Sequence, residues 1–217
     1  ILIALTWGSI LLIIYRRRDR LWANFTWPFF KKHKIWLGTW GASTLLAISL
    51  FPAGNRVQMD EVSILLTSKA IHEEREAITP TRQTQIGAHI LKLTEPFLDK
   101  RPYLYATLVA SLHDILGYSY KNAFYTNMIL AGLTLSLVGL LGRRLGGSDR
   151  AGALSMLALA SVPLFCEYAT GGGIDILNLF SLALLLYAGL RQLDNPDTEN
   201  NRILIGAGFL LAYSRYE

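Results

Sequence analysis

Apolar blocks joined by short polar turns make up most of this chain, and one long polar segment interrupts them. Ile1 to Tyr15 is apolar and is stopped by Arg16-Arg17-Arg18-Asp19-Arg20. Ile35 to Ala53 is a second apolar block, and its 19 residues of helix would rise about 28 Å, close to a bilayer core of about 30 Å. Asn122 to Leu141, Ala151 to Tyr168, Asp175 to Leu190 and Ile203 to Ser214 repeat the pattern. Each is read as a membrane helix, the last one beginning a further outward span that this sequence cuts short.

The exception runs from Asn55 to Arg101. Within it, Asp60 to Glu76 has helical spacing with Val62, Leu65, Leu66 and Ala70 on one face. Ile78 to Thr84 contains Pro80 and reads as irregular, and Ile86 to Leu93 reads as a short helix. Leu104 to Leu116 puts Leu104, Leu108, Leu112 and Ile115 on one face and Thr107, Ser111 and Asp114 on the other. It is too short and too polar on one side to span, so it fits a helix lying in the membrane interface, ended by Gly117. The reading is an all-α integral membrane protein: a multi-span helical bundle with a large extracytoplasmic first loop carrying amphipathic interface helices. Three regions follow: 1–53 with two spans and a basic cytoplasmic loop, 54–121 as the outer loop, and 122–217 with four further spans.

Composition supports the membrane class. The chain is 52% hydrophobic and 17% charged, against about 25% charged in soluble domains. The net charge of +5 does not indicate nucleic acid, because the basic residues flank apolar blocks as topology signals do. From Arg16 to Lys34 there are seven Lys/Arg and one acid, which places that loop in the cytoplasm. Alternation then puts 142–150 and 191–202 on the same side, and 54–121 and the turn 169–173 outside. These sites would make the protein a multi-pass component of the plasma membrane. The sequon at Asn24 falls in a cytoplasmic loop and carries no glycan on this reading. Cys166 is the one cysteine, and His33, His72, His89 and His113 are scattered singly, so no metal site and no cofactor motif are expected.

The order of these features has a known counterpart. A span leads outward to a loop opening with Asp60-Glu61. A Lys100-Arg101-Pro102-x-x-Tyr105 segment and an amphipathic helix follow, then a span ending Leu140-Leu141-Gly142-Arg143-Arg144-Leu145-Gly146-Gly147. From Ile35 onward the chain resembles the GT-C superfamily of polyprenyl-phosphate-sugar-dependent glycosyltransferases, in the protein O-mannosyltransferase and aminoarabinose-transferase-like branch, as an N-terminal fragment. The basic-flanked span ahead of Ile35 departs from the family, where the catalytic loop follows the first span.

The resemblance implies a transferase that takes a sugar from a lipid-phosphate carrier on the outer face. It places the catalytic base at Asp60, with Glu61 as its neighbour. An attacking hydroxyl must lose its proton, and a carboxylate in hydrogen-bond reach accepts it. The leaving group is already an anion and needs positive charge, not an acid. One carboxylate is therefore enough, and the product is inverted. Lys100, Arg101 and Arg215 are candidates to hold the donor phosphate, Arg as a fork and Lys as a point charge. Only 12 helical residues, about 18 Å of rise, separate Arg202 from Arg215, which places Arg215 within the outer half of the membrane. Asp175 is a candidate for lining the acceptor cavity.

Other readings of these residues stay open. Asp60 suits an N-cap, Glu61 a first-turn charge against the helix dipole, and Lys100 and Arg101 an interface anchor. Asp175 suits the N-cap of its helix, and Gly171-Gly172-Gly173 a tight turn. The implied partners are a polyprenyl-phosphate sugar, a lipid, glycan or protein acceptor, and the membrane. A transporter subunit or a non-enzymatic assembly protein is the competing class. Convergence of Asp60 with the basic residues at one membrane level separates the transferase from both.

Overall fold

The computed structural model describes residues 33–56, 58–79, 83–86, 89–92 and 102–214. In chain order the elements are α1 (Lys34–Ser49), α2 (Gln58–Glu73), β1 (Gln83–Ile86), β2 (His89–Lys92), α3 (Leu104–Leu116), α4 (Lys121–Gly146), α5 (Asp149–Ala160), α6 (Pro163–Ala169), α7 (Asp175–Asp194) and α8 (Thr198–Ser214). The chain is an all-α membrane protein with one small antiparallel hairpin in its polar segment. The hairpin pairs Gln83 with Lys92 and Ile86 with His89.

Among the described residues two helices, α4 and α7, are long and apolar enough to cross a membrane. The α5 and α6 helices pass the same test together but are bent by 76° at the break between them. The expected continuous span Ala151 to Tyr168 is therefore broken. Pro163 opens α6 and holds Val162 extended, because the residue before a proline is driven out of the helical region. The same chemistry shortens the expected span Ile35 to Ala53. The α1 helix stops at Ser49, ahead of Phe51-Pro52, and its 16 residues rise about 24 Å.

Small residues set the closest packing. Gly139 and Gly142 of α4 face Met156 and Ser155 of α5, and a Cβ on Gly152 would stand 2.6 Å from the Gly139 carbonyl oxygen. The turn between α4 and α5 is made at Gly147 in the left-handed region (φ 67°), followed by Ser148, whose hydroxyl accepts the Ala151 N–H as an N-cap. At this end of the bundle Arg143 pairs with Asp149 at 3.0 Å, and Arg144 pairs with Asp194 and donates to the Leu190 carbonyl. His33, ahead of α1, lies 4.0 Å from Asp149. The starts of α4 and α7 and the Thr170–Gly173 loop mark the opposite end.

Three expectations in the polar segment change. The α2 helix starts at Gln58 rather than Asp60, and it buries Glu61, Ile64, Thr67, Ser68 and Ala70 while Val62 is exposed. Ile86 and His89–Lys92, expected in a short helix, lie in strands instead, and β-branched Thr84, Ile86 and Ile90 favour that state. The α3 helix is 13 residues and ends at Gly117 (φ 83°), as expected. Its buried stripe is Tyr105, Ala106, Val109, Ala110 and His113, one position off the leucine stripe, because it packs on α2 and α4. Ile115 and Leu116 remain exposed.

Candidate active site

The site is built where the polar segment meets the loop between α6 and α7. After α1, the connection turns back onto that loop: the Gly54 N–H donates to the Thr170 carbonyl at 3.1 Å. Arg56 then fixes the crossing. Its guanidinium donates to the Pro52 carbonyl at 2.7 Å, the Thr170 hydroxyl at 2.9 Å and the Glu167 carbonyl at 3.4 Å. A fork of rigid donors suits this task of tying three acceptors from two segments.

Glu61 is the buried carboxylate of the site, 3% exposed. One oxygen accepts the Arg56 N–H at 2.7 Å and the other the Gly172 N–H at 3.2 Å. Buried charge is tolerated when it is hydrogen-bonded in this way, and bonds from backbone N–H to a carboxylate are among the stronger ones. Glu61 lies in the first turn of α2, where the helix-dipole reading placed it, and its burial there was not read from the sequence.

The glycine loop packs directly against the carboxylate. Among the described glycines only Gly117 and Gly147 have positive φ, so the Gly171-Gly172-Gly173 turn does not draw on the left-handed freedom of glycine. A Cβ on Gly171 would meet the Glu61 carboxylate at 3.4 Å and Arg56 at 3.3 Å, and one on Gly173 would meet Glu61 Oε1 and Asp175 Oδ2, each at 3.4 Å. The three glycines thus line the Glu61 carboxylate at contact distance. From below, the Asn127 amide donates to the carbonyls of Gly171 and Gly173, both at 2.8 Å.

Asp60 sits beside Glu61 on the first turn of α2 and is exposed. It is the third residue of the helix rather than the residue before it, so it is no N-cap. Asp175 is the first residue of α7, preceded by Ile174 at the cap, so it is not the N-cap either. Its carboxylate flanks Gly173 opposite Glu61. The structure therefore brings Asp60, Glu61 and Asp175 to one end of the bundle. Lys100, Arg101 and Arg215 lie outside the described residues. Among the described residues, no group of three or more His, Cys, Asp and Glu could hold a metal ion.

Tyr105 lies under the site, fully buried, donating its hydroxyl to the Ala123 carbonyl at 3.0 Å. Burial and then the nearby Glu61 carboxylate push its phenol well above its ordinary value, so it stays a donor. A second polar cluster ties α2 to α3. His72 and Arg75 bind the two oxygens of Asp114 at 2.6 Å and 2.9 Å. His113 bridges Ser68 at 3.3 Å and Asn122 at 2.8 Å. The Arg75 and His72 hydrogen bonds hold the Asp114 carboxyl below its usual range.

Residues 100–216 match the model of the dolichyl-phosphate-mannose-protein mannosyltransferase family, which is more than half of the chain. The chain belongs to this family. It is a membrane glycosyltransferase of the GT-C type, as the resemblance in sequence implied. No curated protein and no solved structure matches it. The family's matched stretch includes Asn127, the Gly171–Gly173 loop and Asp175, whereas Asp60 and Glu61 lie upstream of it.

Sequence reasoning missed Arg56 and Asn127. Asn127 carries a signal in hindsight: an amide inside an apolar helix hydrogen-bonds across helices. Arg56 carries none, since one Arg just past a span reads as an interface anchor.

Proposed function

We propose that this glycosyltransferase moves a sugar from a polyprenyl-phosphate carrier to an acceptor hydroxyl at the outer face of the plasma membrane, with inversion. The observation that carries the reading is the seat of Glu61 on the Arg56 and Gly172 N–H groups. That seat fixes the first turn of α2 and leaves the adjacent Asp60 exposed. Glu61 is buried away from an incoming acceptor whereas Asp60 is exposed, so Asp60 is the better placed proton acceptor. In the reaction the acceptor oxygen attacks the anomeric carbon, its proton passes to Asp60, and the bond from that carbon to the carrier phosphate breaks. Lys100, Arg101 and Arg215 supply the positive charge for the departing phosphate. Asp175, across Gly173, lines the acceptor side.

The multi-pass topology follows from charge bias. The end carrying Arg143 and Arg144 faces the cytoplasm and the glycine-loop end faces outward, with α3 along the outer interface. The acceptor is a lipid, a glycan or a protein. The test is an assay of the full-length enzyme against a panel of polyprenyl-phosphate sugars and nucleotide sugars. Transfer from a lipid-phosphate donor alone is expected. Transfer from a nucleotide sugar alone would overturn the reading. Membrane-impermeant labelling of a cysteine at position 85 but not at position 18 is the expected topology, and the reverse would invert it.

A further inference from the structure

We propose that Asn127 is a positioning residue for this transfer, acting through the glycine loop and Glu61 on Asp60; the proposal rests on Asp60 being the base. Asn127 is wholly buried on the second turn of α4. Its amide nitrogen spends both hydrogens on the loop, one on the Gly171 carbonyl and one on the Gly173 carbonyl, each at 2.8 Å. The orientation of the amide is fixed, because turning it over would set its oxygen against two carbonyl oxygens. Its Oδ1 has no partner among the described residues, so donation is what the side chain contributes here.

Those two carbonyls flank Gly172, and the Gly172 N–H is the donor to Glu61. Asn127 therefore holds the carbonyl end of the very peptide group whose N–H seats Glu61, and with its second hydrogen the carbonyl two residues on. Arg56 and Gly54 hold the loop only at its start, through Thr170 and Glu167. The part of the loop that touches Glu61 and leads into Asp175 is held by Asn127. A shift of the loop moves Glu61, and Asp60 moves with it on the same helical turn. Misplacement of a reacting group by about 1 Å can cost about 10²-fold in rate.

Asn127→Asp has the shape of the native side chain with inverted polarity. Its carboxylate form repels both carbonyls, whereas its neutral acid form restores one bond. The charged and titratable groups around the loop are Arg56, Glu61, Glu167, Tyr105 and Asp175. The neutral form of the new acid gains population as pH falls. In the full-length enzyme, kcat of Asn127→Asp is expected to fall about 10²-fold near neutral pH with donor Kd unchanged. The ratio of its kcat to wild type should climb as pH falls. Asn127→Ala should lose kcat without that recovery, and hydrogen exchange should rise in residues 170–173 and in the first turn of α2. Asn127→Ala with wild-type kcat, or a flat pH ratio in a folded Asn127→Asp, would overturn the proposal. Asp60→Asn is assayed beside them. If it keeps its turnover while Asn127→Ala loses it and loosens the loop, the base assignment fails and the role of Asn127 in holding the site stands.

Discussion

The Glu61 carboxylate reaches the Gly172 N–H across 111 residues of sequence, 3.2 Å from oxygen to nitrogen. This contact joins the polar segment to the span-linking loop and makes one site of two distant stretches. Glu61→Ala leaves the Gly172 and Arg56 N–H groups without that acceptor in a buried place. It is expected to cost about 1–3 kcal/mol of stability. Thermal unfolding of the detergent-solubilised protein measures it, and a variant as stable as wild type would show that the seat is not holding the fold.

Gly152 faces backbone, which cannot move aside as a flexible side chain can. A methyl group there would press on the Gly139 carbonyl oxygen, 2.6 Å away. Gly152→Ala should push α4 and α5 apart and destabilise the protein by roughly 1–3 kcal/mol. Gly206→Ala on α8 is the control, since nothing lies within 4 Å of its missing side chain. Comparing the two melting temperatures separates packing from helix propensity.

His113 is held neutral. Burial, then His72, lowers its pKa from the ordinary value of 6.5, against weaker opposing pulls from Asp114 and Glu73. The hydrogen bonds agree: the Asn122 amide donates to Nδ1, so Nε2 carries the proton toward Ser68. A histidine with a lowered folded pKa binds protons more readily when unfolded. Its contribution is therefore complete above about 6.5 and is lost as pH falls toward the lowered folded value. Acidification in that window should destabilise the wild type more than His113→Gln, measured as melting temperature against pH. Parallel curves would remove His113 from the acid response.

The membrane class and most helix positions were legible because periodicity and apolar length act over many residues at once. The α4 and α7 spans match Asn122 to Leu141 and Asp175 to Leu190 closely. The break at Val162 was not drawn from sequence, although Pro163 was visible there. The hairpin at 83–92 was misread because a ten-residue polar stretch satisfies either period. The site was half legible. Asp60 and Glu61 stood out as a pair, but which of them is buried depends on a loop more than a hundred residues away. The glycines were assigned to a turn, and that they also pack against a carboxylate is revealed only by the facing side chain.

The central claim is that Asp60 takes the proton of the acceptor while Glu61 holds it in place. The most direct measurement is turnover of purified full-length Asp60→Asn with a polyprenyl-phosphate sugar, alongside donor binding to the same preparation. The account predicts a loss of about 10²–10⁴-fold in kcat with donor Kd near wild type, because the amide keeps the shape and loses the proton acceptor. Near-normal turnover in Asp60→Asn would contradict it and leave Asp60 as a surface residue of the first turn of α2.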